Sequence, residues 1–120
     1  MEKRTITLSD GSTKECFVIF SLGNFMSGQV YPNTRNSAIL NINITKNGET
    51  GKISIGDVSY IPIYMYKYSN RATKKYLVMD IENTISNFEN GSDTNISQSD
   101  YDVLKSELKK IKDTLGKNLD

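Results

Sequence analysis

Histidine is absent from this sequence of 120 residues, and cysteine occurs once, at Cys16. Without histidine the chain lacks the usual general base, the partner of most activated serines and the commonest transition-metal ligand. A single cysteine forms neither an internal disulfide nor a cysteine-rich metal site, and its place before an apolar run indicates a buried thiol. We therefore expect no catalytic residue, no metal-ligand set and no cofactor within these residues.

An excess of charge of either sign is also missing, since 15 Lys and Arg face 14 Asp and Glu. This balance argues against nucleic acid as a partner, which requires a basic surface. No apolar run approaches the roughly 18 residues of a membrane span, and residues 1–5 lack the apolar stretch of a signal peptide. The length predicts one domain or a piece of one.

The first two thirds of the chain predict strands joined by tight turns. Asp10-Gly11 and Asn47-Gly48 each supply the dipeptide that a hairpin turn favours. The apolar run Phe17–Phe20 predicts a strand covered on both faces, and Gly56-Asp57 predicts a bulge. Pro62 cannot donate to a ladder, so an edge or terminal stretch is expected from Ile61 to Tyr66.

The last third predicts two helices. Apolar residues recur at helical spacing from residue 81 to Phe88 and again from Tyr101 to Leu115. Ser97 is a candidate N-cap for the second helix, with Asp100 three residues on. The predicted fold is α+β: a mainly antiparallel sheet of five to six strands, in residues 1–79, followed by two helices, in residues 80–120. The second helix is expected to dock on the sheet or on a partner domain.

Few residues form a pattern that indicates chemistry. The turn Ser21–Phe25 follows a strand but has neither the glycines and lysine of a phosphate loop nor a base to activate Ser21. The tyrosines, lysines and arginine of residues 64–76 could bind a polyanion by stacking and charge, through Lys67, Arg71, Lys74 and Lys75. The other interpretation of that stretch is a solvated strand end.

Four motifs follow one another between residues 13 and 66. They are the strand end Ser-Leu-Gly-Asn-Phe at residues 21–25, a loop to Gln29, an Arg-Asn-small-apolar strand from Arg35 to Ile44, and Val-x-Tyr-x-Pro at residues 58–62. This order resembles the C-terminal part of the CapA family, the bacterial poly-γ-glutamate capsule biosynthesis proteins, with Phe20 in place of the family's usual Tyr. The resemblance is looser over residues 67–90 and does not cover the last helix.

The resemblance implies a fold like the C-terminal part of calcineurin-like metallophosphatases, whose metal ligands would lie upstream of these residues. The chain would then be a non-catalytic C-terminal part of a larger cell-envelope protein that holds divalent metal ions and whose expected activity is hydrolysis. Its partners would be the upstream catalytic region and an anionic polymer, and a sheet fragment of this kind is expected to self-associate. Asn24, Gln29 and Arg35 are the candidate substrate-binding residues; alternatively, Gly23 and Asn24 simply make a tight turn. The competing functional hypothesis is a stand-alone module that binds polyanions or proteins.

Overall fold

The computed structural model describes residues 1–29, 31, 33–69, 74–93 and 95–119, and of residues 68, 69, 74 and 75 it describes the backbone alone. The predicted α+β class is confirmed, with five strands and two helices in the described residues. The strands divide between two antiparallel sheets, one of two strands and one of three. In chain order the elements are β1 (Glu2–Thr7), β2 (Thr13–Val18), β3 (Asn36–Lys46), β4 (Ile53–Ser69), β5 (Lys74–Asp80), α1 (Ile81–Glu89) and α2 (Gln98–Leu115).

The two predicted hairpin turns both form. Strands β1 and β2 pair antiparallel on either side of the turn that contains Gly11, whose φ of 82° is the left-handed conformation that glycine adopts at little cost. The turn between β3 and β4 is closed by the Asn47 side chain, whose Oδ1 accepts from the backbone N–H groups of Glu49 and Thr50. Local turn chemistry therefore sets the position of each hairpin.

The predicted bulge in β4 is present. Ile42 lies opposite Val58 and Ile44 lies opposite Ile55, so that Gly56 and Asp57 together face one residue of β3. The extra residue keeps the apolar side chains of β4 in phase with those of β3 on both sides of the bulge.

The expectation of an edge or terminal stretch at Pro62 is wrong, because Pro62 lies inside β4, the central strand of the order β3–β4–β5. Val58 and Tyr60 donate their N–H groups away from β3, to Leu119 and Asn118, so the nitrogen of Pro62 faces the same side. The ladder with β5 begins one residue later, where Ile63 lies opposite Asp80. Pro62 therefore occupies a position at which β5 requires no donor.

The hydrophobic core lies between the three-stranded sheet and the two helices, as expected for helices that dock on the sheet. Its sheet side is formed by Ala38, Tyr64 and Met79. The helix side is formed by Ile81 and Ile85 of α1 and by Leu104, Ile111 and Leu115 of α2. The core thus combines residues of both predicted segments, 1–79 and 80–120.

Both helices begin at side-chain caps. Asp80 ends β5 and accepts from the N–H of Asn83, so the chain passes from strand to helix without a loop. At α2, Ser97 and Asp100 form the predicted capping box, in which each side chain accepts from the other residue's N–H. Within the described residues, the structure contains no helix of the length and apolarity that a membrane crossing requires.

The molecule is elongated, with extents of 62, 30 and 26 Å along its principal axes. All described residues from Asn41 to Ser54 are exposed, so the tips of β3 and β4 form a projecting two-stranded arm. Nearer the core the outer edge of β4 is covered by the C-terminal segment, since Val58 and Leu119 exchange both backbone hydrogen bonds.

Candidate functional site

The turn at residues 21–25 lies against the start of β3. The Leu22 carbonyl accepts from the N–H of Ala38 and from the Ser37 hydroxyl, so residues 22–24 act as a short outer strand beside β3. Gly23 has a φ of 82°, and a Cβ at this position would lie 2.9 Å from the Asn36 carbonyl oxygen. Both features require glycine here.

Two of the three predicted site residues lie in contact. The Asn24 amide nitrogen donates to Gln29 Oε1 at 2.9 Å and to the Thr34 carbonyl at 3.4 Å. These two bonds close the loop between the turn and β3 and occupy the donors that Asn24 would offer to a ligand. The structure therefore gives Asn24 a role in holding the loop.

Arg35 follows this loop and is half-buried. Its Nη1 donates to the Tyr64 hydroxyl at 3.4 Å, and its carbonyl accepts from the N–H of Met65. The Ser27 N–H contacts the Met65 sulfur from the same loop. Of the three predicted residues, Arg35 therefore contacts β4, whereas Asn24 and Gln29 bond within the loop.

A groove of about 570 Å³ lies on the other side of the turn, between the turn and the C-terminal half of α2. Leu22, Ile111 and Leu115 supply apolar surface, and Ser21, Lys110 and Asp113 supply polar groups. None of Asn24, Gln29 and Arg35 lines this groove. The sequence analysis did not predict that residues of α2 would line a groove beside the turn.

A polar network crosses from β3 to α2 beside the groove. Glu107, whose side chain is only 13% exposed, accepts from Asn36 Nδ2 at 2.5 Å and from Lys110 Nζ at 2.6 Å. Lys110 Nζ also lies 3.4 Å from Asn33 Oδ1. Lys110 is thus paired with a carboxylate beside the groove. Sequence reasoning missed this network because β3 and α2 are about 70 residues apart in the chain.

The Ser21 side chain has a structural role in the turn. The Ser21 hydroxyl oxygen accepts from the N–H of Gly23 and so stabilises the turn. Across the described parts of the chain, no group of three or more Cys, Asp or Glu side chains is arranged to hold a metal ion.

Apolar side chains surround the turn and face solvent. Phe20 is 87% exposed, Phe25 56% and Met26 65%. The expectation of a strand buried on both faces through Phe20 is therefore wrong: β2 ends at Val18, and the remainder of the apolar run leaves the sheet. Large apolar side chains that face solvent close together in the chain are typical of a contact with another part of a protein.

The proposed polyanion stretch lies mostly beyond what the structure describes. Arg71 is outside the described residues, and the side chains of Lys74 and Lys75 are not described. Lys67 is half-buried in β4 and Tyr76 is exposed in β5. The polyanion hypothesis stays a prediction from sequence.

Comparisons of the chain with protein-family models, with curated proteins and with solved structures found no match.

Proposed function

We propose that this chain is the non-catalytic C-terminal part of a CapA-like capsule biosynthesis protein of the bacterial cell envelope. It would complete the sheet and the rim of a metallophosphatase-like site whose metal ligands lie upstream. The proposal rests on the order of motifs in residues 13–66.

One observation supports it above others: the motifs that are separate in sequence become neighbours in one sheet. Residues 22–24 lie beside the start of β3, and β3 lies beside the part of β4 that holds Val58, Tyr60 and Pro62. Motifs that jointly build one layer are expected to recur together in related chains.

The exposed apolar residues beside the turn give this proposal a testable surface. Phe20 and Phe25 would pack against the upstream region, which would return more than about 1 kcal/mol for each fully buried aromatic ring. Asn24 and Gln29 would then position the loop at the rim of the site, and the anionic polymer would be bound by the complete protein.

The test begins with the reading frame upstream of Met1, where we expect an in-frame metallophosphatase region. That region, produced separately, should bind this chain, and Phe20→Ser with Phe25→Ser should weaken binding roughly tenfold or more. Val103→Ser, which changes an exposed apolar residue on α2, is the matched control and should leave binding unchanged.

An activity assay completes the test. The chain alone, with Mn²⁺ and bis(p-nitrophenyl) phosphate, should give no turnover above buffer. Metal-dependent turnover by the isolated chain, or an upstream sequence with no metallophosphatase region, would overturn the proposal.

A further inference from the structure

The outer edge of β3 is open along the projecting arm. Ala38 donates its N–H to Leu22, away from β4, and strand alternation places the N–H groups of Leu40, Ile42 and Ile44 on that same outer side. No described segment pairs with β3 beyond Ala38 on this side. We call residues 40–46 of β3 the arm edge. It is bounded by Leu22 at one end and by the turn at Asn47 at the other.

The two faces of the arm edge differ in chemistry. Ile42 and Ile44 lie on one face, and Ile44 is 63% exposed. Asn41, Asn43 and Thr45 lie on the other face. An unpaired edge with β-branched side chains on one face and amides on the other is a template for another strand.

We propose that the arm edge binds the arm edge of a second copy of this chain, antiparallel about a twofold axis at Asn43. Strand β3 would then join the β3 strand of the second copy, and the two sheets would become one. The contact is isologous, so each copy contributes the same surface and the assembly closes as a dimer. This inference does not depend on the proposed function.

The register follows from the limits of the edge. Backbone groups pair across the axis only if outward-facing residues oppose outward-facing residues, so the axis passes through a residue and not between two residues. Near the middle of the arm edge this allows axes at residues 42, 43 and 44. An axis at residue 42 would bring Lys46 of the second copy against Ala38, where Leu22 is already bound. An axis at residue 44 would bring the turn into the ladder. The axis at Asn43 uses the whole stretch from Leu40 to Lys46.

The same register matches side chains and charge. Ile42 lies opposite Ile44 of the second copy, and Asn41 lies opposite Thr45 of the second copy. Lys46, the only charged residue of the arm edge, lies opposite Leu40, so its aliphatic stem covers an apolar side chain and no like charges meet. Asn43 lies opposite itself, in a non-hydrogen-bonded pair where Cα atoms are about 4.5 Å apart.

That self-opposition gives a direct test by disulfide trapping. In a Cys16→Ser background, Asn43→Cys should form a disulfide-linked dimer under mild oxidation, since the Cα separation falls within the range of about 4.4–6.8 Å that a disulfide accepts. Asn41→Cys, on the same strand and face, is the control. Two copies of residue 41 would be separated by four residues along the strand, roughly 13 Å, so this variant should not cross-link.

Hydrogen exchange of the unmodified chain supplies an independent readout. The amides of Leu40, Ile42 and Ile44 should become protected as the concentration rises from micromolar to millimolar. The amide of Asn41, which already faces β4, should not change. Ile44→Lys should raise the dissociation constant roughly tenfold or more, and Ile53→Lys, on the same face but on β4, should change it much less.

A chain that stays monomeric at all these concentrations would overturn the proposal. A dimer in which Asn43→Cys fails to cross-link, or in which the three outward amides stay unprotected, would equally rule out the arm edge as the interface.

Discussion

Gly23 determines how closely the turn approaches β3. Two independent features require glycine at this position. The backbone is left-handed, and an added Cβ would lie only 2.9 Å from the Asn36 carbonyl oxygen. Without that approach, Leu22 could not accept from Ala38, and the short outer strand would separate from the sheet.

Gly23→Ala should therefore lower the free energy of unfolding by about 2–3 kcal/mol, from backbone strain and steric overlap together. Gly51→Ala is the matched control, because Gly51 also has a positive φ, of 68°, but nothing lies within 4 Å of its Cβ position. It should lose only about 1 kcal/mol, from strain alone. Urea denaturation measures both, and equal losses would contradict the close approach at Gly23.

A tight turn at residues 23 and 24 was one of two interpretations of the sequence, and it did not include which atoms the turn would hold. The Asn24 amide bonds Gln29 and Thr34, five and ten residues on, and the Ser37 hydroxyl bonds Leu22. Such partners depend on where β3 returns, which local propensity does not encode. The prediction for Phe20 was wrong for a related reason. Its hydrophobicity predicted burial, but the chain leaves the sheet after Val18, and Phe20 is exposed to solvent.

At the scale of elements, the start of α2 was the most predictable feature, because a capping box is entirely local. Asp100 is partly buried, which alone would raise its pKa, but hydrogen bonds from Ser97 and from the Tyr66 hydroxyl outweigh burial and lower the pKa below its ordinary value of 3.8. Folding thus favours the ionised form of the Asp100 carboxyl over its protonated form.

Ser97→Ala should cost about 1 kcal/mol of stability near neutral pH. Because the pKa of Asp100 is lower in the folded chain than in the unfolded chain, its contribution is complete above about pH 4 and is lost as pH falls through the folded value. The variant should therefore show a smaller loss of stability on acidification. Ser99→Ala, at an exposed serine in the first turn, is the control. Urea midpoints at a series of acidic pH values measure the stability of both variants. If stability fell in parallel for wild type and Ser97→Ala, Ser97 would not be what lowers the pKa of Asp100.

Pro62 marks the limit of predicting elements from residue rules. Proline avoids central strands because it has no N–H to donate to the neighbouring strand. In β4 the nitrogen of Pro62 faces the side of β5 but lies beyond the last residue of β5, so no hydrogen bond is lost. Knowing this requires the length of the neighbouring strand, which emerges only from the folded sheet.

At the scale of the whole molecule, the fold is a compact helix-covered sheet from which the arm formed by β3 and β4 projects. The radius of gyration of 18.6 Å exceeds the value of about 14 Å that a compact domain of this length would have. The sequence predicted the α+β class and the pairing of β1 with β2 and of β3 with β4, but the overall shape depends on how far β3 and β4 extend beyond the core.

Small-angle scattering of the monomer should therefore give a radius of gyration close to 18.6 Å. Ile44→Lys at low concentration is the sample of choice, since it disfavours the arm-edge dimer and leaves the core unchanged. A value near that of a compact domain would contradict the extended arm.

Gly56 is one of the two bulge residues of β4, and the bulge reverses the alternation of side chains between the two faces of the strand. Ile53 and Ile55 occupy odd positions and Val58 an even one, yet all three share a face because the bulge absorbs one residue. Deleting Gly56 would leave a regular ladder with Val58 still opposite Ile42 and Ile55 still opposite Ile44. Deleting Ser59 would instead place Val58 opposite Asn41 and turn this buried side chain onto the polar face. In the divergence of related chains, a change in the length of this strand is therefore expected at the bulge.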